Sequence, residues 1–202
     1  LLQKAQDIDA LIIEDDYEFE MSFLAAPSPA LKSLDRDGRV IYVGSFSKSL
    51  FPGLRLGYLV GAAPFIREAR ALRASVLRHP PGHIQRTAAY FLGLGHYDAL
   101  VRRLGRTYQE RRRVMEAAII KSGLQIAGKG SHGGSSFWMR APSGTDTQEL
   151  ATRLKSKSTF IEHGKPFFFG NDRPKEYYRL AYSSIPTDRI EQGIDIIAKA
   201  LE

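Results

Sequence analysis

Ser45-Phe46-Ser47-Lys48-Ser49-Leu50-Phe51-Pro52-Gly53-Leu54-Arg55-Leu56-Gly57 is the stretch on which the reading of this fold turns. An apolar run, Val40 to Gly44, leads into it, and a second, Leu56 to Val60, leads out. Each is short enough to be a strand. Two hydroxyls, Ser45 and Ser47, precede Lys48. Pro52-Gly53 marks a turn, and Arg55 follows it. Hydroxyls and a guanidinium brought together by a turn suit a phosphate monoester. A lysine at the mouth of such an anion cradle can form a Schiff base with an aldehyde whose phosphate sits beside it. A polar loop with a solvated lysine is the other reading of the same residues.

Upstream, Leu1 to Ile8 reads as the end of a helix. Ala10 to Ile13 reads as a buried strand that ends at Glu14-Asp15-Asp16-Tyr17. In extended geometry Asp15 and Tyr17 point to one side and Asp16 to the other. The carboxyl end of a strand is where ligands sit in open α/β sheets, although an acidic strand end can also cap a neighbouring helix. Residues 18–37 read as loop with a short helix near Ala30 to Leu34, and Asp37-Gly38 introduces the Val40 strand. Downstream, Pro64 to Leu77 reads as a helix broken by His79-Pro80-Pro81-Gly82. Helices follow over Ile84 to Leu94 and Asp98 to Lys121.

After Gly123 the texture changes. The pattern predicts strands at Ser135 to Met139, Thr159 to Ile161 and Tyr178 to Tyr182, with helices over Thr147 to Lys155 and Thr187 to Leu201. We therefore expect an α/β part over residues 1–105, whose short apolar strands suggest a mainly parallel sheet, and a small α+β part over 106–202. Arg179 lies inside the apolar strand Tyr178-Arg179-Leu180-Ala181-Tyr182. An arginine there is costly to bury unless paired. It is either half of a structural salt bridge or a bidentate clamp for a substrate carboxylate.

Composition narrows the classes. The 202 residues are 43% hydrophobic and 25% charged, as in an ordinary soluble globular chain. No apolar run approaches the roughly 20 residues of a membrane span, and Leu1 to Ala10 does not have the pattern of a signal peptide. The absence of cysteine excludes disulfide scaffolds and Cys-ligated zinc, and fits a cytoplasmic protein. His79, His83, His96, His132 and His163 show no metal-ligand spacing, so no metal is expected. The net charge of +7 permits nucleic-acid binding. However, Arg102, Arg103, Arg106, Arg111, Arg112 and Arg113 spread around one helix without interleaved aromatics, which favours a solvated helix over a binding stripe.

The Lys48 segment closely resembles the lysine motif of fold-type I pyridoxal-phosphate (PLP) enzymes of the aminotransferase class I/II group. The match implies the C-terminal part of a PLP-dependent transferase fold, with Lys48 carrying pyridoxal 5'-phosphate as a Schiff base and moving the proton in transamination. It implies that Ser45, Ser47 and Arg55 hold the cofactor phosphate. Asp15 would face the pyridinium nitrogen, with Asp16 as the alternative, and Tyr17 the ring oxygen. Arg179 would clamp the substrate carboxylate. Gly133-Gly134-Ser135-Ser136-Phe137-Trp138 resembles the strand that opens the family's small domain, with Trp138 in the core. Gln85 falls in a region that lies near the dimer interface in relatives.

Asp35 to Val60 and the Gly95-His96-Tyr97-Asp98 helix look most like MocR-type GntR-family regulators. These fuse an N-terminal winged-helix DNA-binding domain to an aminotransferase-like domain. Leu100 departs from them, because members carry a histidine there. Two functions are thus implied. One is amino-group transfer between an amino acid and a 2-oxo acid. The other is a PLP- or amino-acid-sensing effector domain with little turnover, meeting DNA only through a separate domain. Homodimer formation is expected in either case. The family's phosphate turn, ring-stacking aromatic and ring-oxygen asparagine are not found in these residues. They are therefore expected to bind PLP weakly on their own.

Overall fold

The computed structural model describes residues 1–16, 20, 22–23, 28–128 and 133–202. The chain forms two compact units. One is Leu1–Ser22 with Ala26–Leu104, the other Phe23–Ala25 with Gly105–Glu202.

The first unit opens with helix α1 (Leu2–Asp7) and strand β1 (Ile12–Asp15). Helix α2 (Leu31–Leu34) precedes β2 (Val40–Ser45), and β3 (Gly57–Val60) follows the Lys48 segment. The sheet order is β1-β2-β3. β1 and β2 run parallel, with Asp15 opposite Val43. β2 and β3 run antiparallel, with Ser45 opposite Gly57. The sheet is therefore mixed at this point. The eleven residues between β2 and β3 are fewer than the dozen or more that a parallel crossover needs.

The strand expected from Ala10 begins at Ile12 and is only half covered. Ile13 is 71% exposed, and all four residues of β3 are exposed. Gly44 has a steric duty, because a Cβ there would stand 2.2 Å from the Tyr58 ring. The turn into β2 is organised by Asp35. Its carboxylate accepts the Lys32 ammonium at 2.8 Å and the backbone N–H groups of Arg39 at 3.0 Å and Val40 at 2.9 Å. Helices α3 (Ala63–Leu77) and α4 (Gly82–Gly93) are separated by Pro80-Pro81, as the sequence predicts. Helix α5 (His96–Lys121) then runs from the first unit into the second.

The second unit is a four-stranded antiparallel sheet in the order β4-β5-β7-β6. Its strands are β4 (Gln125–Ile126), β5 (Ser136–Arg140), β6 (Glu162–His163) and β7 (Tyr177–Ala181). Helices α6 (Thr147–Lys155) and α7 (Ile190–Leu201) complete it. Alternation sorts the strand faces. Phe137, Met139, Tyr178 and Leu180 turn inward and are buried together with Leu150, Leu154, Ile190, Ile194 and Ile197. Asp146 caps α6, accepting the N–H of Gln148 at 2.9 Å.

Two expectations shift here. The strand placed at Thr159 to Ile161 lies at Glu162–His163. Ser158 takes a left-handed backbone (φ 55°) and Phe160 is 73% exposed, so the preceding residues do not pair with β7. The last helix opens as a 3-10 turn, Thr187–Arg189, before α7 begins.

Candidate active site

Parallel pairing of β1 and β2 brings Asp15 and Ser45 to the same end of the sheet. The antiparallel return of β3 brings Arg55 there too, because the ladder continues one step past Ser45 with Phe46 N–H donating to the Leu56 carbonyl at 3.0 Å. Lys48 is exposed within the turn 47–50, which the Leu50 N–H closes onto the Phe46 carbonyl at 2.9 Å. Ser45 Oγ accepts the Ser47 N–H at 3.2 Å. Pro52–Leu54 forms a 3-10 turn anchored by buried Leu54, and Arg55 ends it in the left-handed region (φ 49°). A non-glycine residue held there is a strained position. Backbone topology therefore gathers Asp15, Ser45, Ser47, Lys48 and Arg55 at one sheet end.

The acidic run at the end of β1 sorts itself by contacts. The Glu14 carboxylate accepts the N–H groups of Leu31 at 2.6 Å and Lys32 at 2.8 Å, capping the start of α2. Asp16 accepts the Tyr42 hydroxyl at 3.2 Å. Asp15 is exposed and makes no hydrogen bond or ion pair among the described residues. The helix-capping role weighed for this run thus falls to Glu14, and Asp15 is left with its carboxylate available. Tyr17 lies outside the described residues.

Sequence reasoning missed the support beneath Lys48. Ser49 is fully buried, and its Oγ lies 3.0 Å from the Tyr97 hydroxyl, which donates to Glu20. Burial, then the Glu20 carboxylate, pushes the Tyr97 phenol well above its ordinary range. Burial does the same to Tyr42. Phe46 packs edge-on against Tyr97 at 5.8 Å and lies tilted against Tyr58 at 5.4 Å, and Tyr58 stacks on Tyr42 at 6.1 Å. This aromatic floor runs from the end of β1 to the Lys48 turn. No local periodicity announces it, since Glu20, Ser49 and Tyr97 meet only across long sequence separations.

In the second unit, Arg179 sits opposite Trp138 of β5 and Glu162 of β6. It pairs with the Glu162 carboxylate, and its guanidinium carbon lies 5.4 Å from the centre of the Phe167 ring. Its Nε has no hydrogen-bond partner among the described residues. Trp138 stacks on Tyr177 at 5.8 Å and meets Phe167 at 5.3 Å, so it belongs to an aromatic cluster on the face opposite the main core. The helix arginines are partly structural. Buried Arg112 lies 4.5 Å over the Phe137 ring, and Arg111 donates to the Ser183 carbonyl. Among the described residues there is no cluster suited to a metal ion, and no helix is long and apolar enough to cross a membrane.

Residues 15–197 match the family described as Aminotransferase class I and II. The chain belongs to this family. It is 61% identical over 201 residues to the HTH-type transcriptional regulator TauR of Rhodobacter capsulatus, covering 100% of this chain and 42% of TauR. Over 117 residues it is 38% identical to the probable rhizopine catabolism regulatory protein MocR of Rhizobium meliloti, covering 58% of this chain and 24% of that protein. A solved kynurenine aminotransferase from Pyrococcus horikoshii, in complex with PMP and with KYN and KYA, is 28% identical. It superposes with a TM-score of 0.89 over 99% of this chain and 50% of its own. The fold is therefore that of part of an aminotransferase, and its relatives include both aminotransferases and MocR-type regulators. The chain spans half or less of the length of each of these proteins.

Proposed function

We propose that this chain supplies the lysine end of a pyridoxal-phosphate site and serves amino-group transfer between an amino acid and a 2-oxo acid. The observation that carries the reading is the convergence of Lys48, Ser45, Ser47, Arg55 and the unengaged Asp15 at one end of the first unit's sheet. These donors fit the group. Two hydroxyls and a guanidinium answer a phosphate dianion, a carboxylate with no competing partner among the described residues answers a protonated ring nitrogen, and a primary amine answers an aldehyde. When bound, the cofactor acts as an electron sink for the substrate's α-carbon. Lys48 supplies the amine and then carries the proton to and from that carbon. Asp15 keeps the ring nitrogen charged, Ser45, Ser47 and Arg55 orient the phosphate, and Tyr17 donates to the ring oxygen. Arg179 holds the ligand's carboxylate. The half-buried Ser49–Tyr97–Glu20 contact keeps the Lys48 turn in place.

A second reading rests on the 61% identity to TauR across the whole chain. In it the same site senses PLP and an amino-acid ligand for a transcriptional regulator, with little turnover. DNA is then contacted by a separate N-terminal domain. We also take the protein to be a cytoplasmic homodimer. Apolar residues exposed on α3 and α4, among them Leu72, Val76, Leu77 and Tyr90, support the homodimer part of this reading. In this reading residues 1–105 are the C-terminal part of the PLP-binding large domain and residues 106–202 the small C-terminal domain.

The test is visible absorbance of the natural full-length protein with added PLP, before and after borohydride, for wild type and Lys48→Ala. A band fixed to the chain only when Lys48 is present supports the site. No band in the full-length wild type sinks it. A complete half-reaction to pyridoxamine phosphate with any of a broad amino-acid panel selects the enzyme reading. Ligand-dependent operator binding without turnover selects the regulator.

A further inference from the structure

Arg179 already holds a carboxylate, and that carboxylate belongs to the chain itself. Glu162 stands directly opposite it on the neighbouring strand and pairs with its guanidinium. The pair is not deeply buried, with side-chain exposures of 38% for Arg179 and 46% for Glu162. The other restraints on Arg179 do not depend on Glu162. Its strand is hydrogen-bonded to β5 on the far side, and its guanidinium lies over the Phe167 ring. The position of Glu162 is also imposed by backbone. A Cβ on Gly164 would come within 2.5 Å of the Tyr177 carbonyl, and the Gly164 N–H donates to that same carbonyl at 2.7 Å. This close approach keeps β6 against β7 and Glu162 in register with Arg179. Both residues line a cavity of about 600 Å³, which leaves an incoming group room beside them.

We propose that Glu162 is a built-in competitor for Arg179 and sets how tightly the site takes a ligand carboxylate. This rests on the reading of Arg179 as the ligand clamp. A ligand carboxylate must displace the Glu162 carboxylate from the guanidinium, and Arg179 stays oriented by Phe167 while Glu162 turns out into the cavity. With no ligand bound, the internal pair neutralises the arginine, so the site is not left with an unpaired cation. An exposed ion pair shifts an equilibrium by only up to about fivefold. The competition is therefore a graded selectivity device rather than a block. It acts on ligands in proportion to the strength of their carboxylate contact.

The experiment measures dissociation constants for acetate and succinate by ligand-observed NMR on the cofactor-loaded, full-length protein. It compares wild type, Glu162→Gln and Arg179→Gln, with cofactor affinity as the control for folding. Glu162→Gln is expected to tighten both carboxylates by about two- to fivefold, while Arg179→Gln weakens them and cofactor affinity stays constant in both. If Arg179→Gln weakens binding but Glu162→Gln leaves it unchanged or weaker, the competitor proposal is overturned and the clamp stands. If Arg179→Gln changes nothing, the clamp reading itself fails, and the competitor falls with it.

Discussion

Replacing Glu14 by Ala and Asp15 by Asn should separate architecture from chemistry at two adjacent residues. Glu14 accepts two backbone N–H groups at 2.6 and 2.8 Å. A helix of four residues has no spare means of satisfying its first N–H groups. Hydrogen bonds to a charged acceptor are worth roughly 1.5–3 kcal/mol each, and water partly replaces them at a half-buried site. We therefore expect Glu14→Ala to cost about 2 kcal/mol, which lowers the melting temperature by roughly 4–8 °C for a protein of this size. Its PLP band should survive at temperatures where the variant is folded. Asp15 is exposed and bonded to nothing among the described residues. Asp15→Asn should therefore shift stability by no more than about 0.5 kcal/mol while weakening PLP binding at least tenfold. Thermal unfolding by circular dichroism and cofactor titration of the same samples read both quantities. Equal destabilisation by the two changes would refute the division of labour. Loss of PLP binding in Asp16→Asn but not in Asp15→Asn would move the ring-nitrogen role to Asp16.

Other expectations follow from buried polar groups. The Tyr178 hydroxyl is buried with no partner among the described residues, and burial pushes its phenol up to about 12 from an ordinary 10.0. Tyr178→Phe should therefore stabilise the protein by about 1 kcal/mol in urea unfolding. Because the folded-state value is the higher one, wild-type stability should fall between pH 10 and 12, and the variant should lack that decline. Asp35 is held well below the ordinary 3.8, first by the Lys32 ammonium and then by the backbone N–H groups of Val40 and Arg39. Its stabilisation is present above about pH 4 and is lost as pH falls further. Acid titration of Asp35→Asn should show that loss removed. Tyr97→Phe cuts the contacts to Ser49 and Glu20 and should speed amide exchange in residues 46–50 at a cost of about 1 kcal/mol. Unchanged exchange there would show that the aromatic packing alone holds the turn.

Local pattern carried much of this protein. The strand–turn–strand around Lys48, the Pro80-Pro81 break between α3 and α4, and the span of α6 are all legible because each depends on neighbours a few residues away. Period, turn residues and caps encode such information directly. The chemistry-bearing types at Lys48, Ser45, Ser47 and Arg55 were legible for the same reason, since their spacing lies within one loop. Tertiary structure decided which acids are engaged. Glu14, Asp15 and Asp16 are near equivalents as sequence. Only the return of α2 and Tyr42 commits the first and third and leaves the second available. Only the packing of β6 against β7 gives Arg179 its Glu162 partner, and only the fold brings Glu20 and Tyr97 beneath Ser49. It also moved the strand expected at Thr159 to Ile161, where the left-handed Ser158 delays pairing until Glu162. The common reason is distance along the chain. A side chain's partner across a sheet or beneath a turn is set by which elements pack together, and no window of neighbouring residues contains that information.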